Sequence, residues 1–174
     1  MNYSLQDWES GIYDSILPIV QRSQKPWTRK EALIAFHSVE TDLQAQNPTD
    51  LYSKILGDSY FAFAKRLELP EDDELTEASL AFGNSVAKWP VFPDTIAALA
   101  QLSKHYRLVI LSNVDKASFS HTQRVLEQGF KFDLVLTAQV CYRPVELLYL
   151  MHVMHAHFRI LDHTNQTWQI LSIC

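Results

Sequence analysis

Arg107-Leu108-Val109-Ile110-Leu111-Ser112-Asn113 is the stretch that most constrains the fold. Its apolar residues follow one another without the polar alternation of a strand that faces water on one side. Such a run suits a strand covered on both faces, which is the situation in a parallel sheet flanked by helices. Ser112 and Asn113 arrive where the apolar run stops. In an open parallel sheet, ligands bind outside the carboxyl ends of the strands. A hydroxyl and an amide placed there can hold a small anion, or can simply end a strand and cap the next helix.

The residues beyond this stretch fit the same layer fold. Asp115 to about Gln128 has helical spacing, and Phe132-Asp133-Leu134-Val135-Leu136-Thr137 has the composition of a second strand. From Arg107 to Thr137 is 31 residues, close to the ~30 of a strand–helix–strand unit. A right-handed crossover makes the two strands parallel neighbours. Upstream, Asp94 begins a helix carrying Ile96, Leu99 and Leu102. Downstream, Pro144 to Phe158 has helical character, and Thr167 to Ile173 forms a last short strand.

Residues 1–88 have a different texture, helical throughout. A helix is expected from about Ser10 to Gln21. Thr28-Arg29-Lys30-Glu31 is a capping box, in which the Thr hydroxyl and the Glu carboxylate each satisfy an orphan backbone N–H. Behind it Ala32, Phe36, Val39 and Leu43 share one helical face. Asn47-Pro48-Thr49-Asp50 breaks that helix and starts another, striped by Tyr52, Leu56, Tyr60, Phe63 and Leu67. Pro70-Glu71-Asp72-Asp73-Glu74 opens a third, with acids at the positive end of the helix dipole, followed by Leu75, Ala78, Phe82 and Val86. The aromatic stripes match helix periods and are read as core rather than as a cofactor box. Pro90 and Pro93 punctuate the two textures. The organisation expected is a helical subdomain over 1–88 and an α/β core over 89–174.

Composition narrows the function. The formal net charge is −5 with no long basic run, which disfavours nucleic acid and acidic membranes as partners. No apolar segment approaches membrane-spanning length, and the first residues lack the basic-then-apolar pattern of a secretory signal. Two cysteines, Cys141 and Cys174, make no disulfide framework, so a cytoplasmic protein is expected. With only 4 glycines the chain offers no Gly-rich phosphate loop.

Four separated segments, in order, resemble the haloacid dehalogenase-like hydrolases, most closely the type II 2-haloacid dehalogenase branch. They are Asp7-Trp8-Glu9-Ser10-Gly11-Ile12, Trp89-Pro90-Val91-Phe92-Pro93-Asp94, Leu111-Ser112-Asn113-Val114-Asp115 and Phe132-Asp133-Leu134-Val135-Leu136-Thr137-Ala138-Gln139. The resemblance implies a Rossmann-like core with a helical cap inserted after its first strand. It implies hydrolysis of a small anionic organic acid (a 2-haloacid) or a phosphate ester, through an Asp nucleophile that forms an ester intermediate. Dehalogenases of this type use no metal and no other cofactor. By the resemblance, Ser112 and Asn113 match the family's second motif and hold the substrate. Arg143, in Tyr142-Arg143-Pro144, stands where the family carries a charge-neutralising Lys in Tyr-Lys-Pro. Arg keeps the charge but not the compact ammonium.

The same correspondence places Ser4 on the Thr of the Asp-x-x-Gly-Thr motif, so that the first strand and its nucleophile would precede Met1. No Asp or Glu follows Asp162 to supply the fourth motif. The chain is therefore expected to be truncated at both ends and weak or inactive as a hydrolase. Asp7 is read as a turn residue and Asp115 as a helix cap, not as replacement nucleophiles. The alternative function is a non-catalytic α/β protein that binds a small anion or a partner chain. An all-helical adaptor conflicts with the strand signals.

Two further expectations concern the carboxyl-terminal third. His152 and His155 share a helix face near His157 and His163, yet no thiol or carboxylate completes a zinc pattern with them, and Cys141 has no identified base. Without the family's first strand, strand 167–173 is expected to pair beside strand 107–111. Any exposed sheet edge that remains invites self-association.

Overall fold

A computed structural model describes residues 5–112 and 114–137, and the backbone of 167–173. The chain divides into two compact units. One is Asp7–Pro90; the other combines Met1–Gln6 with Val91–Cys174.

The helical unit contains α1 (Trp8–Arg22), α2 (Arg29–Gln46), α3 (Tyr52–Arg66) and α4 (Asp73–Gly83), followed by a single 3-10 turn, Val86–Lys88. Each start has a local cause. Asp7 caps α1: its carboxylate accepts from the Ser10 N–H at 3.1 Å and from the Ser10 hydroxyl at 2.7 Å. Asp7 is thus a helix cap rather than the turn residue read from sequence, and α1 begins earlier than Ser10 because that cap satisfies its first turn. Pro18 lies inside α1, where it cannot donate to the Asp14 carbonyl. The capping box of α2 is complete, with both reciprocal bonds present. Asp72 caps α4 by accepting from the Leu75 N–H at 2.7 Å. No side-chain cap supports α3, whose flanking residue is Leu51; Pro48 and the Asp50-to-Asn47 turn set its start instead.

The aromatic stripes meet in the core of this unit, as expected from their spacing. Phe36 packs edge-on against both Phe63 and Phe82, at ring separations of 5.8 and 5.7 Å, and Phe82 extends the chain to Tyr60 and Trp89. Offset and edge-to-face pairs add to the burial that drives the packing. Small residues let the helices approach: a Cβ at Gly83 would run into the Ser53 carbonyl oxygen of α3, and one at Gly57 would meet the Ser79 carbonyl oxygen at 3.1 Å. The two ends of the unit are tied together by the Asp7 N–H, which donates to the Pro90 carbonyl at 2.8 Å.

The second unit is α/β. It contains α5 (Thr95–Leu102), β1 (Tyr106–Ser112), α6 (Lys116–Leu126), β2 (Leu134–Leu136) and β3 (Thr167–Ile173). The strands form a parallel sheet in the order β2-β1-β3. Leu108, Val109 and Ile110 are completely buried, the physical meaning of their unbroken apolar run. The β1–α6–β2 crossover is the expected parallel unit. β3 lies beside β1 from the Tyr106–Thr167 pair to the Ser112–Ile173 pair, where sequence placed it. β2 is shorter than the Phe132–Thr137 segment suggested: at its start the Leu108 N–H of β1 donates to the Asp133 carboxylate rather than to a backbone carbonyl. Gln6 bridges Val91 in antiparallel fashion and donates through Nε2 to the Thr122 hydroxyl at 3.2 Å. Gln6 and Val91 flank the helical insertion, so the chain leaves and re-enters this unit at one place. The helix expected over 144–158 lies outside the described residues.

Candidate functional site at the carboxyl end of β1

Ser112 is the last residue of β1, the middle strand of the described sheet. It is 5% exposed, and its hydroxyl accepts the Val114 N–H at 3.1 Å. That bond folds the chain out of the sheet and toward α6. A hydroxyl has two acceptor lone pairs and one proton, so accepting from Val114 leaves its donor function in place.

Asp115 follows at the start of α6. One carboxylate oxygen accepts the Ser118 N–H at 2.9 Å and the other accepts the Ser118 hydroxyl at 2.8 Å. The side chain is buried. It is a helix cap, as its position in sequence suggested, and both oxygens are engaged. The capping role accounts for both oxygens with local partners, in keeping with the reading of Asp115 as a cap rather than a nucleophile.

Thr137 was missed by sequence reasoning. Leu111 of β1 is in register with Leu136 of β2. One residue beyond that pair, Thr137 reaches the level of Ser112 and is likewise buried. Two hydroxyl residues thus follow the apolar runs of adjacent parallel strands, and Ser112 comes shortly before Asp115, the cap of α6. The signal was present in the sequence: each strand ends its apolar run on a hydroxyl residue. Only the register shows that the two ends coincide.

Asn113 and Arg143, the other expected substrate-binding and charge-neutralising residues, lie outside the described residues, as do Cys141, His152, His155, His157, Asp162 and His163. Among the described residues no group of three or more His, Cys, Asp or Glu side chains comes together to hold a metal ion, and no helix is long and apolar enough to cross a membrane. No protein-family model matches the chain, and no curated protein matches it.

Proposed function

We propose that the chain is a haloacid dehalogenase-like hydrolase by descent, and that it holds a small organic acid or phosphate ester at the carboxyl end of β1. The observation that carries this reading is the position of Ser112. It ends the middle strand of a parallel sheet, immediately before the N-terminus of α6 and level with Thr137. Parallel sheets bind ligands at such strand ends, and a hydroxyl beside a helix N-terminus favours an anion. The helical segment enters and leaves at the bridged pair Gln6 and Val91, which agrees with a cap inserted into an α/β core. In this reading Ser112, with Asn113, grips the anion and Arg143 neutralises it.

The commitment of Asp115 to capping favours the second reading, a non-catalytic binder of a small anion or a partner chain. Positioned hydroxyls can orient an anion, but they do not form the ester intermediate by themselves.

Two measurements on the full chain separate these readings: chloride release from 2-chloropropionate together with hydrolysis of p-nitrophenyl phosphate, and an NMR titration with 2-chloropropionate and inorganic phosphate. Turnover abolished by Ser112→Ala establishes the hydrolase. Binding without turnover, weakened by Ser112→Ala, supports the binder. Neither binding nor turnover overturns both the hydrolase and the anion binder.

A further inference from the structure

We draw no further inference here: the strongest candidate, the open groove between α1 and α2 lined by Trp8, Leu33 and Ile34, carries nothing, because its lining mixes the cations Arg29 and Lys30 with the carboxylate of Glu9 and nothing in the structure shows what covers it.

Discussion

Asp133 and Leu108 hold each other twice. The Asp133 carboxylate accepts the Leu108 N–H at 2.8 Å, and the Asp133 N–H donates to the Leu108 carbonyl at 2.9 Å. Leu108 is fully buried, so the side chain of Asp133 satisfies a backbone donor where the β2 ladder has not yet begun. This clamp fixes the register that sets Leu111 against Leu136. Asp133→Ala should destabilise the protein by about 1–3 kcal/mol, the cost of an unsatisfied backbone donor. Asp133→Asn, which keeps an acceptor, should cost less. Urea denaturation of both variants tests the order; equal losses would show that the bond does not matter.

A second prediction concerns pH. The Glu31 carboxylate accepts from the Thr28 hydroxyl at 2.7 Å and from the Thr28 N–H at 2.9 Å, and these bonds hold it below its ordinary value of 4.5. Asp72 is held below its ordinary 3.8, first by the Leu75 N–H and then by Arg22. Both groups bind protons more weakly when folded than when unfolded. Their contribution is therefore complete above the unfolded values and is lost as pH falls through the folded ones. The urea midpoint should be flat from about pH 7 to about pH 5.5 and decline below about pH 4.5. In Glu31→Gln and Asp72→Asn the decline should be shallower. Thr28→Ala should remove about 1 kcal/mol at neutral pH through the lost cap.

Close approach of α3 and α4 makes Gly83 intolerant. A methyl group there meets backbone, the Ser53 carbonyl, and not a side chain that can turn away. Gly83→Ala normally gains helix propensity, yet here it should cost about 1–3 kcal/mol through overpacking. A thermal melt decides the sign. An unchanged or higher midpoint would mean that the helices separate freely.

The buried Glu40 offers another test. Its carboxylate accepts from the Tyr52 hydroxyl at 2.8 Å and from Gln44 Nε2 at 3.4 Å, with His37 Nδ1 at 3.3 Å. Tyr52→Phe withdraws the shortest of these bonds from a buried carboxylate and should cost about 1–3 kcal/mol. In the background of Glu40→Leu, the same Tyr52→Phe change should have much less effect. A double-mutant cycle with no coupling would refute the pairing.

The legible features were those with local causes. Thr28 and Glu31 are three residues apart and formed the box that their spacing promised. Leu108 to Ile110 formed the buried strand, and the hydrophobic period put Phe36, Phe63 and Phe82 in the core. The same period puts Val86 on the α4 stripe, but Asn84 ends that helix and Val86 is buried from the 3-10 turn instead. Thr137 could not be singled out as a partner of Ser112. It gained that meaning from the register against β1.

Capping, periodicity and apolar run length act within a few residues, so the chain by itself determined its helix starts, its parallel strand unit and the apolar faces that had to be buried. Which hydroxyls coincide at the end of β1, and which rings meet in the core of the helical unit, depends on groups far apart in sequence. Those outcomes belonged to packing and register, because burial and hydrogen bonding are settled only when distant segments meet.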